Sequence, residues 1–444
     1  MTDSTLDAPP PPAAGAPRGE LVGVDWRLGL LVASVIALGV LAGRGWLLII
    51  GALVVMIFLH ELGHFLTAKW SGMKVTEFFL FFGPKIWSFK RGETEYGIKL
   101  IPLGAYVRII GMSNLDPEVA SEDEHRTFRQ QSYPKRLLVV SAGSIMHMLQ
   151  AFVLFVVVFS VMGVPGGGGL AERLGGPAVD SADWTIGDVV PGSAAAVAGL
   201  RRGDDLASID GHAVATFDDV GALVAPHPGS PVDLVVVRDG QRISLHAALG
   251  RNPDDPNRGF LGIGPTYPRL PAVKVNPARG AVESGRLTVE VARETVKGLG
   301  AFFSGGLGSF ASDVVHGGSS PSTITGGAVS SGGGSASSGP DDNRLLSIYG
   351  VARIGAGASR DGMVSFLLFM AGVNISIGLL NMIPLLPLDG GHVAIATYER
   401  LRSVRGRRYM ADVSRLLPIT YAVVMFMLLL GVSSIYLDIV NPIG

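Results

Sequence analysis

Cysteine is absent from the 444 residues, which excludes disulfides, thiolate metal sites and a cysteine nucleophile. Any domain outside the membrane must fold on its apolar core alone, and metal ligands must come from His, Asp or Glu. Charge is scarce and balanced: charged residues make up 16% of the chain, 36 basic against 37 acidic, so nothing favours nucleic acid as a partner. The first 27 residues lack a basic n-region and do not read as a cleaved signal peptide. What the chain has instead is apolar length. It is 48% hydrophobic, with a mean hydropathy of +0.40, too apolar for an ordinary soluble protein and long enough for two or three domains.

Four stretches are long and apolar enough to span or nearly span a bilayer: 46–68, 137–164, 363–388 and 416–437. A shorter run, 28–43, is cut off by Gly43-Arg44-Gly45; it is either an extra N-terminal span or an interfacial segment, and the span is preferred. Residues 1–27, rich in proline and small side chains, read as a disordered tail. Lys and Arg orient the loops. Residues 69–136 hold eleven and 400–415 hold six, while the last seven residues hold none, so both basic loops are expected in the cytoplasm and 165–362 on the other side. Within the first loop, Phe78 to Gly111 has short apolar runs broken by Gly83-Pro84, Arg91-Gly92, Pro102 and Gly104, the pattern of hairpin strands beside the membrane. Residues 183–250 alternate in strand fashion around a helix-like stretch, Ser193 to Gly199, and have the size of one compact module. Residues 273–362 read as a linker carrying a flexible Gly/Ser-rich insert, 317–339.

The chemistry sits at the end of the first confident span, in His60-Glu61-Leu62-Gly63-His64. On a helix the two histidines lie one turn apart on one face and can bind one cation, while Glu61 can reach a water activated by it. The alternative, two helix histidines that merely hydrogen-bond, fits poorly with the cost of ionisable groups in an apolar span. Two histidines leave zinc short of a third protein ligand. Asp389 is favoured, a carboxylate at the end of another apolar run and followed by Gly390-Gly391. Pro384, Pro387 and these glycines break the helix there, which is tolerable at membrane depth only where backbone lines a cavity or packs on protein. Glu93 and Glu95 stay open as rivals because soluble zinc proteases often draw a Glu from about that spacing, although a polar hairpin turn explains both. His392 is either a neighbouring donor or incidental, and His147 reads as a satisfied core histidine.

The pairing of His60-Glu61-Leu62-Gly63-His64 with the stretch Asn381-Met382-Ile383-Pro384-Leu385-Leu386-Pro387-Leu388-Asp389-Gly390-Gly391 resembles the site-2 protease family of intramembrane zinc metalloproteases. Gly92-Glu93-Thr94-Glu95-Tyr96-Gly97, Pro102 to Val107 and Gly111-Met112 resemble the membrane-associated hairpin of its bacterial regulator-of-sigma-E branch. Val190-Pro191-Gly192-Ser193-Ala194 through Leu200, with Gly203-Asp204 and Ile209-Asp210-Gly211, resembles a PDZ domain of that branch.

The resemblance implies a polytopic α-helical protein of the bacterial cytoplasmic membrane, with four core transmembrane helices, an extra N-terminal one, a β-hairpin sheet and an extracytoplasmic PDZ-like α/β domain. It implies zinc on His60, His64 and Asp389, Glu61 as general base and Asn381 as a substrate or oxyanion contact. The implied substrate is a single-span membrane protein already trimmed by a site-1-type protease, typically an anti-sigma factor. The chain departs from the family pattern at Ala142-Gly143-Ser144 and His147, where Ala-Gly-Pro and Asn are usual, and at Ala105 and Ala194 in place of Gly and Pro. These positions bear on substrate contacts more than on hydrolysis. A catalytically silent scaffold or peptide-binding chaperone would not need Glu61 beside a full ligand set, and a metal transporter would need neither Glu61 nor a PDZ-like domain.

Overall fold

The computed structural model describes residues 43–112, 119–177, 182–252, 255–268, 270–306, 308, 310, 347–403 and 409–440, with scattered positions between 29 and 41. The tail 1–27, most of the segment 28–43 and the insert 317–339 lie outside the described residues.

Four described helices are long and apolar enough to cross a membrane: Arg44–Trp70, Tyr133–Met162, Met363–Asn381 and Ser414–Val440. At 1.5 Å per residue the 19-residue third helix reaches about 28 Å and the 27-residue first one about 40 Å, against a hydrocarbon core of about 30 Å. The second span begins at Tyr133 with Pro134 in its first turn, where a missing N–H costs nothing, and its last six residues, Val157–Met162, loosen into a π turn. The protein is therefore polytopic.

Hydropathy carries the third span to Leu388, but the helix stops at Asn381. Pro384 and Pro387 supply no N–H and disfavour helical geometry in the residues before them, so 382–388 folds as an irregular loop and a new helix, Asp389–Arg402, starts behind it. The loop doubles back onto that helix. A Cβ on Gly390 would lie 2.3 Å from the Met382 and Ile383 carbonyl oxygens, and one on Gly391 would lie 2.6 Å from the Leu386 nitrogen. Only glycine fits between loop and helix, and this fixes where Asp389 points.

Between the first two spans, β1 (Val75–Arg91) and β2 (Thr94–Ile109) form an antiparallel hairpin with repeated register shifts. Its base packs Val75 and Ile109 with Ala68 of the first span and Val139 and Val140 of the second. The strand-rich segment continues beyond the Gly250 limit expected from sequence. β3 (Thr185–Val189) pairs with β8 (Ile263–Thr266), and Leu261 lies in the same core as Trp184, Leu206 and Leu234. A four-stranded sheet of order β5-β4-β6-β7, built from His212–Ala213, Asp205–Ile209, Pro231–Arg238 and Gln241–Ala248, forms the rest. Residues 273–362, read as a linker, contain two helices, Pro277–Ala301 and Ile348–Asp361. The first buries Val291 against Ala151, Phe155 and Val158 of the second span, with Leu287 and Ala292 packed alongside.

Candidate active site

The first span crosses the second at glycines. A Cβ on Gly63 would meet the Ala142 carbonyl at 2.8 Å, and one on Gly143 would meet His60 Cε1 at 2.3 Å, His64 Nε2 at 2.5 Å and His60 Nδ1 at 2.6 Å. Small residues let transmembrane backbones approach this closely. Gly143 is thus the floor on which both imidazoles rest.

His60 and His64 are buried, with Nε2 atoms 3.3 Å apart. Asp389 Oδ2 lies 3.6 Å from His60 Nε2 and 3.4 Å from His64 Nε2. Three ligand atoms of a tetrahedral ion with bonds of about 2.0–2.1 Å are separated by about 3.3–3.4 Å, so the triangle has the size of one face of a zinc tetrahedron. Two further observations suit a cation. The Val139 carbonyl accepts from His64 Nδ1 at 2.7 Å, which leaves the Nε2 lone pair for the site. Asp389 Oδ2 is buried with no hydrogen-bond partner, an arrangement that is costly for a carboxylate unless a positive charge meets it. Among the described residues this is the one group of three metal-ligating side chains so arranged. Glu61 approaches the edge of the triangle, 4.0 Å from His60 Nε2.

The other candidates fall elsewhere. Asn381 ends the third span, half-buried, across the 382–388 loop from Asp389. Glu93 accepts from Lys69 Nζ at 2.5 Å and from Arg126 Nη1 and Nη2 at 2.7 and 2.8 Å. Those Arg126 bonds, with Lys69 behind them, hold its carboxyl down at about 2. Glu95 is bound by Lys85 at 2.7 and 2.8 Å and by Ser88 at 2.8 Å, and the Lys85 bonds lower its pKa. Both rivals are engaged in ion pairs that pin the hairpin. His392 stands three residues past Asp389 on the same helix and outside the triangle. His147 is buried as expected, but its ring packs 4.9 Å from that of His60.

Sequence reasoning missed two contributors. Asn374, an amide in an apolar run, lies 3.0 Å from His147 Nδ1, and the rarity of polar side chains in spans was the signal that could have found it. Arg136 and Glu399 form a buried pair at 2.6 Å, which with Tyr133 and Thr397 at 3.2 Å bolts the Asp389 helix to the second span. In the sequence Arg136 is simply one of the eleven basic residues of 69–136.

Residues 48–430 match the model of peptidase family M50, the site-2 protease family, and the chain belongs to it. It is 31% identical over 423 residues to the zinc metalloprotease Rip1 of Mycobacterium tuberculosis (strain ATCC 25618 / H37Rv), covering 88% of this chain and 96% of that one. It is 31% identical over 428 residues to the zinc metalloprotease Rip1 of Mycolicibacterium smegmatis, covering 90% and 98%. Among solved structures, GtR34C from Geobacillus thermodenitrificans is 30% identical over 17% of this chain and 87% of its own, at a TM-score of 0.16. The protein is a multi-pass membrane zinc metalloprotease.

Proposed function

We propose that His60, His64 and Asp389 hold the zinc, that Glu61 is the general base and that Asn381 contacts the oxyanion. The enzyme then hydrolyses peptide bonds within the transmembrane segment of a single-span protein. The observation that carries this reading is the ligand triangle, with edges of 3.3, 3.4 and 3.6 Å, at the end of a membrane span and beside one carboxylate that is not part of it.

Zinc bound there supplies Lewis-acid activation of water and of the scissile carbonyl. Glu61 accepts the water proton on a carboxylate oxygen as the water oxygen bonds the carbonyl carbon, and returns it to the amide nitrogen as the C–N bond breaks. The Asn381 amide N–H donates to the oxygen on which charge develops. The Val139 carbonyl keeps the His64 imidazole from turning, and Gly143 brings the second span against both rings, so the site is largely organised before substrate arrives.

The substrate class follows from the same setting. A transmembrane helix has its backbone hydrogen bonds satisfied and must unwind before attack, so helix-breaking residues in the substrate lower the barrier. The β1–β2 hairpin offers strand edges to an unwound segment. The basic loops 69–136 and 400–415 support a cytoplasmic-side site in the cytoplasmic membrane, with the strand-rich module outside. That module reads as PDZ-like, and its cleft of about 510 Å³, lined by Val190, Pro191, Ser193, Val197, Ala248 and Phe260, suits a size filter or a reader of a newly cut carboxyl end. An anti-sigma factor already trimmed by a site-1-type protease is the substrate this arrangement fits. Co-expression with candidate single-span proteins tests the reading: intact enzyme shortens the pre-trimmed substrate, and Glu61→Gln binds zinc but leaves it uncut. Near-normal cleavage by Glu61→Gln removes Glu61 from the mechanism.

A further inference from the structure

His64 and His60 differ in how their second nitrogens are served. His64 Nδ1 has the Val139 carbonyl at 2.7 Å, whereas His60 Nδ1 is buried with no hydrogen-bond partner. A metal-binding histidine ordinarily donates that N–H to an acceptor, which fixes its tautomer and its tilt. The Gly143 backbone carbonyl faces the His60 ring without completing a hydrogen bond to Nδ1, and the ring packed on His60 is His147. Its centroid lies 4.9 Å from the His60 centroid with the planes at 41°, and a head-on N–H···N bond between two imidazoles needs about 5 Å.

The tautomer of His147 can be read from its other side. Asn374 Nδ2 donates to the Met370 carbonyl at 2.8 Å, which turns Asn374 Oδ1 toward His147, 3.0 Å from Nδ1. Oδ1 is an acceptor, so Nδ1 of His147 carries the proton and Nε2 carries the lone pair. No hydrogen bond engages that Nε2 among the described residues. One imidazole thus has an N–H without an acceptor, and the ring packed on it has a lone pair without a donor. His60 is 9% and His147 2% exposed, so little bulk water reaches either ring.

We propose that His147 Nε2 accepts from His60 Nδ1–H, completing a chain from the Met370 carbonyl through Asn374, His147 and His60 to the metal. His147 is then a positioning residue that acts through His60 and sets how strongly His60 binds zinc. The proposal rests on His60 being a ligand. It asks only for a small turn of two rings already in contact, and it gives a function to the amide of Asn374.

The test uses the purified full-length protein in detergent, with zinc affinity measured by chelator competition and the ligand field read from the visible spectrum of the cobalt(II)-loaded protein. His147→Phe keeps a ring and removes the acceptor. It is expected to weaken zinc binding about 10- to 100-fold and to shift the cobalt bands. His147→Gln, whose Oε1 can stand near the lost Nε2, is expected to restore most of the affinity, which a merely space-filling role would not produce. Asn374→Leu should weaken binding in the wild type and add little in the His147→Phe background. Affinity within twofold of wild type and an unchanged spectrum in His147→Phe overturn the proposal, as does a fall in turnover with affinity intact, which would assign His147 to the reacting water. If His147→Phe does not fold, Asn374→Leu decides: unaltered zinc affinity and spectrum overturn the chain. His60→Ala separates the two levels, because retained zinc there sinks the ligand assignment itself.

Discussion

Replacing Gly143 by alanine adds one methyl group at the point where the second span touches both histidines. Its Cβ would stand 2.3 Å from His60 Cε1 and 2.5 Å from His64 Nε2, so the contact must open by about 1 Å to reach ordinary van der Waals distance. On the proposed ligand set neither ring can yield that much, since metal–ligand distances tolerate about 0.2 Å. The second span must move instead. Overpacking of this kind costs about 1–3 kcal/mol, which as lost affinity is roughly a 5- to 150-fold weaker hold on zinc. The sign is opposite to that of the same change in an open helix position, where Gly to Ala stabilises by up to about 1 kcal/mol. Gly51, on the first span with nothing within 4 Å of its Cβ position, is the matched control. Chelator competition and elemental analysis on purified Gly143→Ala and Gly51→Ala provide the measurement. If Gly143→Ala binds zinc as tightly as wild type and cleaves at the wild-type rate, the floor described for the two imidazoles is not there.

Asp389→Ala is expected to lose zinc, and one zinc per chain remaining in that variant would reopen Glu93 or Glu95 as the third ligand. For topology, a cysteine at Gln241 should react with an impermeant reagent in intact cells, while one at Met410, 41% exposed, should react only after permeabilisation; the reverse pattern inverts the orientation. Glu93 gives a pH signature. Its carboxyl is held at about 2 rather than at 4.5, so its ion pairs contribute fully above about pH 4.5, and the contribution fades as pH falls toward 2. Glu93→Gln should therefore flatten that acid limb of thermal stability, modestly, because the pair is partly exposed and screened; an identical limb in wild type and variant refutes it.

Motif and hydropathy carried much of this molecule, and the limits have physical causes. Four apolar runs appear as four helices because length and composition alone make a span. The stop at Asn381 was less legible, since Leu385, Leu386 and Leu388 keep the run apolar while Pro384 and Pro387 decide the backbone. Helix Pro277–Ala301 hid behind its charges: Arg286, Glu290, Arg293 and Glu294 interrupt the apolar face that Leu287 and Val291 bury. The strand-rich module overran Gly250 because the partner of β3 lies more than seventy residues along the chain, and pairing at that separation leaves no local trace. In the site, each candidate ligand could be named from its neighbours in sequence. The role of Gly143, the Asn374–His147 contact and the Arg136–Glu399 clamp could not, because each depends on which backbones approach one another in space.

The candidate ligands come from opposite ends of the chain, with about 320 residues between His64 and Asp389. During synthesis the first span, with His60, Glu61 and His64, enters the bilayer long before Asp389 has been made. For that whole interval the proposed base and two of the proposed ligands are in the bilayer without the third to retain a metal. On that assignment activity is expected only once the segment carrying Asp389 has docked against the first span, so a chain arrested before Asp389 is expected to be unable to cut.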